Sequence, residues 1–543
     1  MSDAQLEAVH NKLKTVRERT DLKLRTTKHL KTTFTDFDGQ EKPLKVRYYQ
    51  VQGILHLVLM KRFILGDDTG LGKTLETIAA LCYIWEKDPN RKALVLTTKS
   101  AAKQWMREFA KFTNGVSVIL CQGTPAQRDK ARKLWMDAKG PTVLIMGYRS
   151  AVQDFSKMQN WGGYIFVCDE ATAFKNPRTQ VHQVCAHMAS QADRTWGLTA
   201  TLIKNHLMEG FGIYQVVMPG LFGMTANQFM MYYCLCRMQR LPRSNRQVPV
   251  IVGYLPQKIK EFKEVIDPYF IGRPKHEVAS ELPSLTSRTV TVEMSEAQED
   301  KYAEALSGLL EMGMDEETGE AMVKEVTKLT AIAYCQEIVN HLGLIDCDGR
   351  SAKLEALIEL LTEGDFAEEK VIIFTRFRKM VDILMPILKK QKIKAVRVTG
   401  SETGDQRDKA MREFQDPESD VRVCCITTAG SESINLQAAK ALICYDTPWS
   451  AGDFLQLIGR MIRIGSVHDK CYVIHLLARG KRRQTVDHRV MQVLSRKMTL
   501  VEAVLGKRIK GESDTDLVIE VENDISDLFN ALRDDALDLT GGR

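Results

Sequence analysis

Eleven short runs of apolar and β-branched residues, in two groups, constrain the fold of this chain more than any other feature. The first group is "RFILG", "KALVLTT", "VSVIL", "TVLIMG", "YIFVCDE" and "RTWGLTA", between Arg62 and Ala200. The second is "KVIIFTRF", "AVRVTG", "VRVCCITT", "ALICYD" and "CYVIHLLA", between Lys370 and Ala478. Runs that are apolar at nearly every position leave neither face for water, and helical patterns separate them. Such alternation predicts parallel sheets covered by helices on both sides. In "SAAKQWMREFAKF", Trp105, Phe109 and Phe112 fall at i, i+4 and i+7, the stripe a covering helix needs. Between 221 and 349 the text turns loop-like and basic ("RLPRSNRQVP", "FIGRPKHEVASELPSL"). It then turns helical ("AQEDKYAEALSGLLEMG", "EETGEAMVKEVTKLTAIAYCQEIVNHL"). The expected class is α/β, with two parallel-sheet lobes and a mostly helical connector.

A length of 543 residues exceeds one ordinary core and fits two to four domains. No uncharged apolar run reaches membrane-spanning length, and the N-terminus lacks a secretory signal, so no membrane partner is expected. The twelve cysteines form no CxxC pair, which leaves zinc unsupported. Cys168 and Cys444 lie inside apolar runs as small hydrophobes, and a reducing cytoplasm is the expected setting.

Net charge is +7, unevenly spread. Residues 1–62 carry 13 Lys/Arg against 7 Asp/Glu, and residues 512–543 carry 2 against 10. Removing that tail of −8 leaves +15 on residues 1–511, an electropositive body suited to phosphates. In the tail, Ile525, Leu528, Phe529 and Leu532 fit i, i+3, i+4, i+7, an acidic amphipathic helix. Two roles are open to it: docking in a basic groove as a brake, or packing on the second lobe.

Chemistry concentrates first in "GDDTGLGKT", between the run "RFILG" and the helical "KTLETIAALCYIW". A glycine-rich turn opening a helix presents backbone N–H groups to phosphate. Asp68, Thr69, Gly70, Leu71, Gly72, Lys73 and Thr74 are the candidate cradle. Lys73 would neutralise the outer phosphates, and the Thr74 hydroxyl would ligate Mg²⁺. One glycine is displaced: Asp67 stands where GxxxxGK[ST] has its first glycine, and Gly66 comes one place early. "YIFVCDEAT" ends a buried run with Asp169, a candidate for holding Mg²⁺ largely through water, and Glu170, a candidate for orienting or deprotonating the attacking water. In "DFLQLIGRMIRIGS", Gln456, Arg460 and Arg463 stand at i, i+4, i+7 and are expected on one helix face. Paired guanidiniums suit a polyphosphate and can stabilise phosphoryl-transfer charge.

These motifs, in this order, resemble the Swi/Snf-type ATPases of helicase superfamily two, double-stranded DNA translocases and nucleosome remodellers. The family's "DEMGLGKT" resembles "DDTGLGKT", and an acid at the place of Asp67 is normal there. "VRYYQ" resembles "LRPYQ" and makes Gln50 the implied adenine reader. "DEATAFKNP" resembles "DEAH" and "IKNP"; "LTATLIKN" resembles "LTGTPIQN", with Thr199, Thr201 and Asn205. "QVVMPGLFG", "KVIIFTRF", "YDTPWSAGDFLQLIGRMIRIGS" and "HLLARG" also have family counterparts, so the resemblance runs from about 44 to 500. It implies two RecA-like lobes closing on ATP and Mg²⁺, and a groove for double-stranded DNA across both. By position it implies DNA-backbone contacts at Thr98, Lys99, Tyr148, Thr375, Arg376, Ser401, Thr427 and Thr428, with Trp449 either meeting DNA or packing inside. The implied domains are a basic extension (1–43), lobe 1 (44–220), a connector (221–349), lobe 2 (350–510) and an acidic tail (511–543).

Departures are Ser431, Glu432 and Ser433 in a glycine-rich family element, Thr172 after the paired acids, and Leu202 in place of a proline. None removes a phosphate-, metal- or water-directed group. The implied activity is DNA-stimulated ATP hydrolysis driving movement along duplex, with DNA-bound proteins as further partners. A strand-separating or annealing helicase on forks or RNA, and an ATP-gated DNA clamp, are the alternatives. A monomeric motor of a bacterium or a phage-infected cell is the expected context.

Overall fold

The computed structural model describes residues 3–35, 40–240, 247–278, 283–311, 325–430, 434, 436–463, 466, 468–481, 483–505, 519–520 and 528–535. The chain forms two compact units, one of residues 1–233 with 257–280, the other of residues 234–256 with 281–543.

The first unit is built on a seven-stranded sheet. Its order is Phe270–Ile271, Arg62–Leu65, Arg194–Leu198, Ile165–Asp169, Lys92–Thr97, Thr142–Gly147, Ser117–Cys121, every pair parallel. All six apolar runs of the first group are strands. Both faces are buried: Phe63, Leu65, Val95 and Val167 join the cluster under the helices Lys73–Lys87 and Lys99–Phe112, while Ile64, Leu94 and Phe166 are equally buried. In the helix Lys99–Phe112 the stripe Trp105, Phe109 and Phe112 is buried as its spacing requires.

The second unit holds a six-stranded sheet, again parallel throughout. Its order is Ser284–Glu293, Lys470–Arg479, Ala441–Cys444, Val371–Phe374, Val423–Ile426, Ala395–Val398. Alternation along a strand sends neighbours to opposite faces. Ile372, Phe374, Cys424 and Ile426 accordingly enter one apolar cluster, and Val371, Ile373, Val423 and Cys425 enter another. Cysteine is packing material here, and the twelve thiols are free.

The segment 221–349 is largely helical but also contributes strands. Phe270–Ile271 extends the first sheet, and Ser284–Glu293 edges the second along its whole length. Leu235–Arg240 and Gln247–Tyr254 form an antiparallel hairpin of the second unit, which Ile519–Glu520 joins. The chain thus leaves the first unit, builds the hairpin, returns for 257–280, and leaves again. Residues 528–535 of the acidic tail are helical, with Leu528, Phe529 and Leu532 buried against Tyr302, Leu306, Ile332 and Val490 of the same unit. An Arg489–Asp535 ion pair of 2.9 Å reinforces this packed arrangement. Ile525, and the departures Ser431, Glu432 and Ser433, lie outside the described residues.

Candidate nucleotide and nucleic-acid sites

The carboxyl ends of parallel strands are where open α/β sheets bind ligands. Every candidate that follows a strand lies at this end of its own sheet. In the first unit, the loop 66–72 follows Leu65, Thr98 follows Thr97, Tyr148 follows Gly147, and Asp169 ends its strand. In the second, Thr375 and Arg376 follow Phe374, Ser401 lies just past Val398, and Thr427 and Thr428 follow Ile426.

The loop has the geometry its glycines predict. Gly70 and Gly72 have φ of 92° and 94°, left-handed values that a side chain would strain. Gly72 caps the helix Lys73–Lys87, and a Cβ there would stand 2.4 Å from the Gln50 amide nitrogen. Lys73 Nζ donates to the loop's own carbonyls, 2.6 Å to Asp67 and 3.3 Å to Asp68. Gln50, on the helix Tyr48–Leu59, donates to the Leu71 carbonyl at 2.9 Å, and the Tyr49 hydroxyl reaches the same oxygen at 3.2 Å. Gln50 therefore touches the loop. Thr69 and Thr74 are half-buried on it.

Asp169 is held by groups that sequence reasoning did not assign. Its Oδ2 accepts from the Thr97 hydroxyl at 2.8 Å and from the Trp105 indole at 2.7 Å. The tryptophan read as core is therefore also a donor to the candidate metal-holding acid. Glu170 follows in left-handed backbone (φ 52°), a costly conformation for a residue with a Cβ. Tyr148 is turned inward, its hydroxyl donating to the Asp169 carbonyl at 2.7 Å, so its side chain supports the acid strand. Thr98 caps the helix opened by Lys99 by accepting from Ala101 N.

The displaced glycine also receives its explanation. Asp67 is fully buried and grips Arg273 from the returning segment: Arg273 Nε reaches Asp67 Oδ1 at 2.8 Å, and a terminal amine reaches Oδ2. Glu76 lies against the same amine at 3.1 Å. Burial, with the Asp67 charge beside it, pushes the Glu76 carboxyl well above its usual range and favours its neutral form.

In the second unit, Thr375 is buried and donates to Asp446 Oδ2 at 2.6 Å, while Arg376 N donates to Asp446 Oδ1 at 3.0 Å. The exposed Arg376 side chain lies over the Trp449 ring at 4.7 Å and donates to Gln336 at 2.8 Å. Trp449 thus packs partly inside, yet sits beside a candidate phosphate contact. Thr427 is buried and bonds the Thr399 carbonyl, and Thr428 is exposed. Ser401 is exposed, with Glu402 beside it. The Glu402 carboxylate accepts from Thr399 N at 2.6 Å, from Gly400 N at 3.1 Å and from the Ser401 hydroxyl at 3.2 Å. Despite partial burial, which pushes the other way, the backbone amides of Thr399 and Glu402 and the hydroxyls of Thr399 and Ser401 pull the Glu402 carboxyl down to about 2.

One expectation needs correcting. The helix carrying Gln456 and Arg460 spans Ala451–Met461, so Arg463 lies past its end and does not complete a face with them. Ile462, just past the helix end, takes extended backbone (ψ 104°), and its side chain is buried in the apolar cluster of that sheet face. Arg463 instead folds back, its Nε donating to the Gly459 carbonyl at 3.1 Å.

Among the described residues no group of three or more His, Cys, Asp or Glu could hold a metal. A Mg²⁺ taken with a nucleotide asks for no such cluster, only one or two protein oxygens and the ligand's own phosphates. Thr74 and Asp169 are of that kind.

The SNF2-related domain profile matches residues 49–344, and that of the helicase conserved C-terminal domain matches 352–465. The chain is 26% identical over 512 residues to the ISWI chromatin-remodeling complex ATPase ISW2 of Saccharomyces cerevisiae, covering 89% of this chain and 44% of that protein. It is 27% identical to the mouse (Mus musculus) chromodomain-helicase-DNA-binding protein 1-like over 85% of this chain and 50% of that one. With the ATP-dependent DNA helicase DDM1 of Arabidopsis thaliana the identity is 24%, over 85% and 62%. The chain therefore spans about half the length of these relatives. Among solved structures, the Sulfolobus solfataricus SWI2/SNF2 ATPase core in complex with dsDNA aligns at 24% identity and a TM-score of 0.40, over 85% of this chain and 93% of that one. Among the described residues no helix is long and apolar enough to cross a membrane.

Proposed function

We propose that this chain, which belongs to the SNF2-related family of helicase-like ATPases, hydrolyses ATP with Mg²⁺ and couples each cycle to movement along double-stranded DNA, displacing or remodelling what is bound there. The observation that carries the reading is the carboxyl edge of the first sheet. A left-handed glycine loop with Lys73 lies there, on the same edge as Asp169, anchored by Thr97 and Trp105, and the adjacent Glu170.

In this reading Lys73 exchanges the carbonyls of Asp67 and Asp68 for the outer phosphates, and the N–H groups of 70–74 receive phosphate oxygens. Gln50 reads the adenine edge. Asp169, fixed by Thr97 and Trp105, keeps its carboxylate directed while Glu170 orients the attacking water and takes its proton. Mg²⁺, held by Thr74 and through water by Asp169, would supply positive charge against the transferring phosphoryl group. Gln456, Arg460 and Arg463 are proposed to serve turnover, so Arg463→Ala should retain nucleotide affinity and lose rate. Thr98, Lys99, Arg376, Ser401 and Thr428 are proposed to grip backbone phosphates, which fixes position without reading bases. Thr375 and Thr427, expected there by position, are buried with their hydroxyls on Asp446 and the Thr399 carbonyl and support that edge from inside.

The test is ATPase rate on double-stranded DNA, single-stranded DNA and RNA of equal length. Steady turnover that rises with duplex length is expected, together with displacement of a triplex-forming strand and no opening of a forked duplex. A rate indifferent to duplex, or a single ATP consumed per binding event, would sink the motor and favour a clamp. Duplex affinity should fall about 10³-fold between about 50 and 200 mM salt if some six phosphate contacts are made. A flat salt response would remove the phosphate-gripping surface.

A further inference from the structure

Beneath the phosphate loop lies a buried side chain that joins its supporting elements. Arg273 follows the two-residue strand Phe270–Ile271 on the segment that returns to the first unit. Its Nε and one terminal amine fork onto Asp67, at the start of the loop. That amine also lies 3.1 Å from Glu76 Oε2, on the helix opened by Lys73. The other terminal amine donates to the Tyr49 carbonyl and, at 3.2 Å, to Gln52 Oε1, both on the helix that carries Gln50.

The backbone follows the same path. Gly66 N donates to the Ile271 carbonyl at 2.6 Å, Asp68 N to the Arg273 carbonyl at 3.1 Å, and Lys275 N to Asp68 Oδ2 at 3.0 Å. Space is made for the cluster: a Cβ on Gly53 would fall 1.8 Å from Glu76 Oε2.

We infer that Arg273 is a positioning residue for the nucleotide, holding the first arm of the phosphate loop, the helix behind Lys73 and the helix bearing Gln50 in one fixed arrangement. The inference rests on the loop being the ATP site. Arg273 does not touch the nucleotide. It acts through Asp67, which is why an acid stands where the usual loop has a glycine. The geometry demands a guanidinium, because a planar fork of five donors can serve two carboxyl groups and two amide oxygens at once. A lysine ammonium keeps the charge and loses the fork.

The experiment measures ATP and ADP affinity by calorimetry on the full chain, wild type against Arg273→Lys, alongside melting temperature and nucleotide-free duplex affinity. The expected result is nucleotide affinity weakened tenfold or more, with DNA affinity within twofold and melting shifted by only a few degrees. Nucleotide affinity within twofold of wild type overturns the assignment and leaves the ATP site standing. Wild type without saturable ATP binding overturns both. Asp67→Asn is the second variant, retaining one acceptor while losing the charge, and a three- to tenfold loss is expected. If both variants fail to fold, Arg273 is a stability element and the positioning role is overturned.

Discussion

The two units keep a buried charge cluster behind the carboxyl edge of their sheets, and the clusters are built on different cations. In the first unit Arg273 spreads its fork over a loop and two helices. In the second, the Lys353 ammonium is fully buried, pairs with Asp487 Oδ2 at 2.5 Å, and donates to Asn340 Oδ1 at 2.9 Å and the Tyr445 carbonyl at 3.1 Å. Its neighbour Asp446 is raised by burial, although Thr375 and Arg376 donate to it. An arginine fork can tie segments into one geometry. A buried ammonium is a point charge whose main energetic consequence is the desolvation it must offset. On the proposed reading the first cluster is expected to govern ligand geometry and the second the stability of its unit, with Thr375 and Arg376 resting on Asp446.

Four measurements break or sharpen that contrast. Lys73→Ala should lower ATP turnover by about 10³-fold or more, on the scale of losing a principal electrostatic stabiliser, with most duplex affinity retained. Parallel loss of DNA binding would mean the first edge is not a separate nucleotide site. Next, Lys353→Met strands the buried Asp487 carboxylate and should cost about 3–5 kcal/mol of stability in denaturant unfolding. A variant as stable as wild type would make the second cluster a geometric device like the first.

Smaller effects are expected at the Arg376–Trp449 stack. Each alanine substitution should weaken duplex affinity by about 1 kcal/mol, roughly fivefold, and the double variant should lose less than the sum because the two act as one unit. Full additivity would separate them. Smallest is an acid effect. Burial lowers His475 from 6.5 to about 4 and His56 to about 3. The unfolded chain then binds protons that the folded chain refuses, so this stability is complete above about pH 6.5 and is lost as pH falls toward those values. Both His56 nitrogens have partners, Arg17 Nε and the Gln52 carbonyl, whereas His475 Nδ1 has none among the described residues. His475→Met should therefore narrow the difference in melting temperature between about pH 7.5 and pH 5. An unchanged difference would assign the acid response elsewhere.

Strands apolar at nearly every position were legible because a doubly covered parallel strand writes its burial into consecutive residues. Phe270–Ile271 and Ser284–Glu293 were not read. The first is two residues long, and the second is an edge strand whose exposed positions are polar except for Leu285. The alternating Thr289, Val290, Thr291 and Val292 carried a usable signal, but its partner Lys470–Arg479 lies far along the chain. The loop, Lys73 and the acids were legible because phosphate chemistry needs them at fixed local spacing. Trp105 as a donor to Asp169, and Arg273 as the partner of Asp67, had no local signature. Arg463 was placed on a helix face because a period of 3.6 does not say where a helix stops.

What the amino-acid order determined alone is the pair of parallel sheets, the burial of their central strands, and a loop able to cradle phosphate, since each depends on neighbours within one turn or one strand. Which arginine clamps that loop, which indole holds the acid, and where the acidic tail rests were decided only in three dimensions. Those partners stand 206 residues apart for Arg273 and Asp67 and 64 for Trp105 and Asp169, and only the closed fold brings them within hydrogen-bond reach.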